Sequence, residues 1–85
     1  MKINWYEGTK NIIGARVKEA RIKAKPPISQ QDLSARMGVL GIDIYRVSIS
    51  KIESGDRFVA DFEVLALAEA LNVSLEWLLR GKSEA

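Results

Sequence analysis

The sequence predicts an all-α protein, folded as a compact orthogonal bundle of five short helices. Apolar residues recur every three or four positions, as they do along one face of a helix. Capping residues and glycines separate these periodic segments, and no segment alternates polar and apolar residues as a strand would. With 85 residues, 47% of them apolar, the chain is expected to form one domain around one shared core.

The first helix follows an irregular segment, residues 1–10, which we interpret as an N-terminal arm. Trp5 and Tyr6 in this arm are expected to cover an edge of the core, and stacking on bases is the alternative. The helix is identified by one stripe of side chains, namely Ile13, Val17, Ala20, Arg21 and Ala24. Pro26 and Pro27 end it, because proline lacks a backbone N–H and disfavours helical geometry in the preceding residue.

Two further helices joined by a tight turn are predicted within residues 29–55. Ser29 and Asp32 have the spacing of a capping box at the start of the second helix. The apolar stripe of that helix consists of Leu33, Met37 and Leu40. Gly41 suits the left-handed position that follows a helix, so we expect the second helix to end at Leu40 and the turn to occupy residues 41–43.

The third helix, about residues 44–54, is predicted to expose a face that DNA can accept. Asp43 is its expected N-cap, and Gly55 ends it. Its inward face carries Tyr45, Ile49 and Ile52. Its outward face carries no acidic residue and consists of Arg46, Val47, Ser50, Lys51 and Ser54. A short helix that offers hydrogen-bond donors, a methyl contact and positive charge fits the major groove of DNA.

The last two helices are predicted to complete the core. Asp61 is the expected cap of a fourth helix, which is apolar on nearly every side and therefore belongs in the middle of the bundle. Asn72 can adopt the left-handed conformation that closes this helix, Ser74 caps a fifth helix, and Gly81 ends it. The predicted divisions of the chain are the arm (1–10), the helical domain (11–81) and a frayed tail (82–85).

Charge is distributed unevenly along the chain, although the net charge is only +2. Residues 1–25 hold seven basic and two acidic residues, whereas residues 61–85 hold two basic and five acidic ones. A basic end is typical of a surface that faces phosphates, and an accidental scatter of solvated charges is the alternative.

Composition also argues against several classes of function. The chain has no cysteine and no histidine, which removes disulfides, thiolate metal sites and the commonest general base. We therefore expect no enzyme activity, no cofactor and no small-molecule ligand. No apolar run approaches the ~20 residues of a membrane span, so we expect a cytoplasmic protein without a membrane partner.

Two opposite charges fall on inward faces of different helices. Arg21 lies on the apolar stripe of the first helix, and Glu53 lies beside Ile49 on the inner face of the third. A lone buried charge is costly, so we expect the two side chains to pair and to orient the third helix against the first. Extension of both side chains into solvent is the alternative.

The chain contains four segments that, in this order, resemble the lambda-repressor/Cro-like (XRE-type) helix-turn-helix DNA-binding domains: RVKEAR, SQQDLSARM, SISKIESG and LALAEALNVSLEWLL. The resemblance covers about residues 12–81. It implies that Gln30 holds a phosphate and that Arg21 pairs with Glu53. It also implies base reading by Arg46, Val47, Ser50 and Lys51. The link between the second and third helices is longer than is usual in this family, which we interpret as one added turn on the second helix.

These features predict a sequence-specific DNA-binding transcriptional regulator, a repressor that occupies an operator as a homodimer with the third helix in the major groove. Ser54 and Arg57 are expected to join Gln30 in contacting phosphates. The fifth helix, with Trp77 and Leu79, is the expected dimer surface, and Trp77 as a core residue is the alternative. The alternative function is a protein-interaction module on the same fold, an antitoxin or adaptor with weak or no DNA binding.

Overall fold

The computed structural model describes residues 8–82, and this range contains five α-helices. They are α1 (Gly14–Lys23), α2 (Gln30–Val39), α3 (Arg46–Glu53), α4 (Asp61–Leu71) and α5 (Leu75–Arg80). α3 packs against α1 and α2, while α4 contacts α1, α2 and α5. The predicted five-helix bundle is therefore confirmed. The predictions for Trp5, Tyr6 and residues 83–85 concern parts of the chain outside the described residues.

One apolar core joins all five helices. Its most deeply buried side chains, each with at most 2% of its area exposed, are Ile13, Val17, Leu33, Met37, Ile49, Ile52, Leu67 and Leu78. α4 supplies buried residues on several sides, which explains why its sequence is apolar nearly all round. Within the described part of the chain, no helix has the length and apolar character needed to cross a membrane.

Several predicted helix ends are confirmed. Ser29 Oγ accepts a hydrogen bond from the Asp32 N–H at 2.9 Å, and Asp32 Oδ2 accepts one from the Ser29 N–H at 3.1 Å. This capping box lowers the pKa of the Asp32 carboxyl, because the backbone N–H of Ser29 stabilises its charged form. Ser74 Oγ accepts a hydrogen bond from the Trp77 N–H and caps α5. Asn72 closes α4 in the left-handed conformation, with φ of 57°.

The connection between α2 and α3 differs from the prediction. α2 ends with Leu40 as its C-cap, and Gly41 has the expected positive φ, 86°. α3, however, begins only at Arg46, so the turn is longer than predicted. Asp43 lies within this connection and is not the N-cap of α3. We call residues 40–45 the α2–α3 linker.

Tyr45 is the N-cap residue of α3 and 73% of its area is exposed, so its predicted place on the inward face is wrong. Ile44 is the buried residue instead, with 4% exposed. The Ser34 hydroxyl donates a hydrogen bond to the Ile44 carbonyl at 2.6 Å and holds the linker against α2. Neighbouring side chains of an extended backbone point to opposite sides, so the burial of Ile44 directs Tyr45 outward.

The start of α4 also differs from the prediction. Asp61 is the first residue of the helix, not its cap, and Ala60 occupies the N-cap position. Glu63 provides the capping hydrogen bond, because its Oε1 accepts from the Ala60 N–H at 3.0 Å. Asp61 remains favourable in the first turn, where the helix dipole stabilises a negative charge.

Candidate nucleic-acid interface

The outward face of α3 carries the predicted base-reading residues. All four are exposed: Arg46, Val47, Ser50 and Lys51. The opposite face is completely buried at Ile49 and Ile52, which fixes the direction in which the other side chains point. Arg46 and Lys51 form no side-chain hydrogen bond or ion pair with any residue between 8 and 82. Their donors are therefore available to a ligand.

The inner end of α3 is held by a buried ion pair. Arg21 Nε donates to Glu53 Oε2 at 2.6 Å, and Arg21 Nη2 donates to Glu53 Oε1 at 2.9 Å. Only 11% of the Arg21 side chain and 6% of the Glu53 side chain are exposed. The hydrogen bonds to Glu53 raise the pKa of Arg21. This bidentate ion pair fixes α3 against α1.

Gln30 joins the same network from the start of α2. Its Nε2 donates to Glu53 Oε1 at 3.0 Å, and the guanidinium of Arg21 also donates to the Ile28 carbonyl at 2.9 Å. The structure thus brings together Arg21, Glu53 and Gln30, which the sequence analysis had assigned to two different roles. One carboxylate connects α1, the start of α2 and the end of α3.

Asn11 is a positioning residue that the sequence analysis missed. Its Oδ1 accepts hydrogen bonds from the backbone N–H groups of Ile13 and Gly14, at 3.1 and 2.7 Å. Its Nδ2 donates to the carbonyls of Ile52 and Arg57, at 3.1 and 2.9 Å. An asparagine just before a helix is a capping signal that could have identified the first pair of contacts. The second pair joins distant parts of the chain and ties the end of α3 to the start of α1.

Gly14 allows α1 and α3 to approach closely at this point. A Cβ atom built on Gly14 would overlap the Ile52 carbonyl oxygen and lie 3.1 Å from the Glu53 carbonyl oxygen. Only a residue without a side chain fits between the two helices here. The position of the end of α3 therefore depends on a glycine in α1.

Arg57, a predicted phosphate contact, is engaged within the protein. Its Nη1 donates to Glu63 Oε1 at 3.0 Å and its Nη2 donates to Glu63 Oε2 at 3.1 Å. These hydrogen bonds hold the pKa of the Glu63 carboxyl below its ordinary value, and the Glu63 residue is only 9% exposed. The contact ties the loop after α3 to the first turn of α4. The role of Glu63 was missed, since its burial depends on tertiary packing.

Ser54, another predicted phosphate contact, is exposed at the end of α3. Its hydroxyl lies 3.1 Å from the Lys51 carbonyl oxygen and 3.0 Å from Asp56 Oδ2. Like Gln30 and Arg57, it already has partners within the chain.

Only some of the exposed apolar side chains lie on α5, the predicted dimer surface. Trp77 is half-buried and packs against the core, while Leu79 on α5 is 38% exposed. A more exposed set lies on the loop before α4 and on α4 itself. We call it the α4 apolar surface, and it consists of Phe58, Phe62 and Leu65, with exposed fractions between 52% and 58%.

Comparison with known proteins gives two matches. The sequence model of a family described as a helix-turn-helix domain matches residues 14–84. Among solved structures, the chain is similar to the P22 c2 repressor protein, in a crystal structure with synthetic operator 9T in the presence of Tl+. That match has 30% sequence identity and a TM-score of 0.68, and covers 85% of this chain and 98% of the other. A search of curated proteins gave no match.

Proposed function

Because the chain belongs to the XRE-type, lambda-repressor-like helix-turn-helix family of DNA-binding regulators, we propose that it represses transcription by occupying a specific operator with α3 in the major groove. The main support for this proposal is the outward face of α3. Its two cationic side chains, Arg46 and Lys51, have no partner among the described residues, and no acidic side chain accompanies them on that face. The similar P22 c2 repressor structure contains a synthetic operator, which supports operator binding.

We assign base reading to the exposed residues of α3. The guanidinium of Arg46 can donate two parallel hydrogen bonds to guanine O6 and N7, the commonest specific contact in the major groove. Val47, 57% exposed, can contact a thymine methyl group. Ser50 and Lys51 lie one turn further along and can reach a base edge or a phosphate.

Gln30, Ser54 and Arg57 remain the proposed phosphate contacts. Each already makes a hydrogen bond within the chain, so a phosphate would have to share or replace that partner. Gln30 is also the first residue of α2, where free backbone N–H groups favour an anion. Phosphate contacts of this kind position the protein without reading sequence.

We further propose that two copies bind as a homodimer. A single small domain makes few base contacts, and two half-sites about one helical turn apart, ~34 Å, would double them. The α4 apolar surface supports association, because three large apolar side chains are more than half exposed there. Three exposed side chains are far fewer than the roughly 20–30 residues per partner of a stable interface. The two copies are therefore expected to assemble on DNA.

Selection of binding sites from random DNA tests the function directly. We expect enrichment of one motif made of two symmetric half-sites. Enrichment of a single half-site would retain operator recognition and reject the dimer. Enrichment of no motif would reject sequence-specific binding and favour the protein-interaction module.

Arg46→Ala is expected to weaken operator binding by about 1–3 kcal/mol and to relax the preference at one base pair of each half-site. Binding to random DNA should change much less, because Arg46 is assigned to a base and not to a phosphate. Fluorescence anisotropy on both DNAs at one fixed salt concentration measures the two effects.

Arg46→Lys is the matched control for charge. Lysine keeps the positive charge but lacks the planar fork of arginine, so we expect most of the operator selectivity to be lost while random DNA still binds. Equal losses on operator and random DNA in Arg46→Ala would instead assign Arg46 to a phosphate.

A further inference from the structure

Tyr45 is an exposed aromatic residue at the N-terminal end of α3, the helix that lies in the major groove in the proposed complex. It is the N-cap residue of α3, 73% of its area is exposed, and the two exposed residues Arg46 and Val47 follow it directly. Its predicted place was on the inward face of α3, and the proposed function gives it no role. In helix-turn-helix complexes the N-terminal residues of the reading helix contact base edges.

The structure holds Tyr45 outward by fixed contacts of its neighbours. Ile44 is buried in the core, and its carbonyl accepts the hydrogen bond from Ser34 at 2.6 Å. Earlier in the linker, the Ile42 N–H donates to the Met37 carbonyl at 2.9 Å. These anchors restrict the backbone on the N-terminal side of Tyr45, and α3 restricts it on the other. An exposed side chain on a fixed backbone can bind with a small loss of conformational entropy.

The chemistry of the Tyr45 side chain favours a base edge over a phosphate as its contact. The side chain is uncharged and therefore has no net Coulomb attraction to a phosphate, and Asp43, two positions earlier in the linker, is exposed. A tyrosine can pack its ring on a thymine methyl group and use its hydroxyl as donor or acceptor.

We infer that Tyr45 is a specificity-determining residue that contacts a base pair next to the one read by Arg46. This inference rests on the proposed function, and it adds the α2–α3 linker to the surface that reads DNA.

Binding-site selection with Tyr45→Ala tests the inference. We expect the variant to lose preference at one base pair of each half-site, adjacent to the pair affected by Arg46→Ala. Affinity for the wild-type operator should fall roughly tenfold, within the range for loss of one base contact, while binding to random DNA is unchanged. Thermal unfolding should be close to wild type, since the side chain is mostly exposed.

Ile22→Ala is the matched control, because Ile22 is a 55% exposed apolar residue on α1 and should leave the motif intact. An unchanged motif with Tyr45→Ala would overturn the inference. Equal weakening on every DNA would also overturn it, since that result indicates a phosphate contact. If the wild-type protein enriches no motif at all, the proposed function itself fails, so the two failures are distinguishable.

Discussion

Glu53→Ala is expected to destabilise the protein by about 3–5 kcal/mol, the cost of leaving one member of a buried ion pair without its partner. The guanidinium of Arg21 would lose both hydrogen bonds to the carboxylate while only 11% of its side chain is exposed. Gln30 would lose its acceptor in the same step. Domains of this size are stable by roughly 5–15 kcal/mol, so this one change could remove much of the stability. Urea denaturation measures it.

A double-mutant cycle with Arg21→Ala separates the pair from other effects of the substitution. We expect clear coupling between the two sites, with the double variant less destabilised than the two single variants added together. Glu19→Ala is the matched control, because Glu19 pairs with Lys23 at 3.1 Å on the surface and should contribute less than about 0.5 kcal/mol. Coupling near zero, with both single changes at Arg21 and Glu53 costing under about 0.5 kcal/mol, would show that the buried pair contributes nothing.

Gly14→Ala is expected to destabilise the protein by about 3 kcal/mol, at the upper end of the usual cost of overpacking. The new Cβ would meet the Ile52 carbonyl oxygen, and a backbone atom cannot move away as a flexible side chain can. α1 and α3 would have to separate, which also weakens the contacts of Asn11 across the same junction. Thermal and urea unfolding would both report the loss.

Gly38→Ala is expected to have the opposite effect on stability, because nothing lies close to Gly38. Gly38 lies in α2, is exposed, and would place its Cβ in open space. Alanine favours helix over glycine, so this variant should be stabilised by about 0.5–1 kcal/mol. If Gly14→Ala and Gly38→Ala changed stability equally, helix propensity and not the close approach would explain the result at Gly14.

The features predicted well from sequence are those fixed by neighbouring residues. The capping box at Ser29, the left-handed Asn72 and the cap at Ser74 each involve residues within three or four positions, so local spacing identifies them. The start of α3 was predicted wrongly, because Asp43 is a preferred N-cap residue, whereas the structure has Tyr45 in that position. The contact between Ser34 and the Ile44 carbonyl decides between them, and it depends on how α2 packs.

In the candidate site, too, the predictions that rest on local sequence pattern agree with the structure, whereas contacts that depend on tertiary packing were missed. The inward positions of Arg21 and Glu53, together with the family resemblance, predicted that these two side chains pair, and the structure shows the contact. The engagement of Arg57 with Glu63 was not predicted, because a loop arginine has no periodic pattern and Glu63 is buried only in the folded bundle. Asn11 contacts Arg57 across 46 positions of sequence, a separation that no local pattern spans.

The groups that orient α3 and the groups that face outward from it are different residues. Glu53 and its partners hold the helix from inside, and none of them lies among the exposed residues Arg46, Val47 and Ser50. Exposed positions usually tolerate substitution within about 0.5 kcal/mol. Substitutions on the outward face can therefore be made, by engineering or by evolution, with little loss of fold stability, and in the proposed complex they would direct the same scaffold to a new DNA sequence.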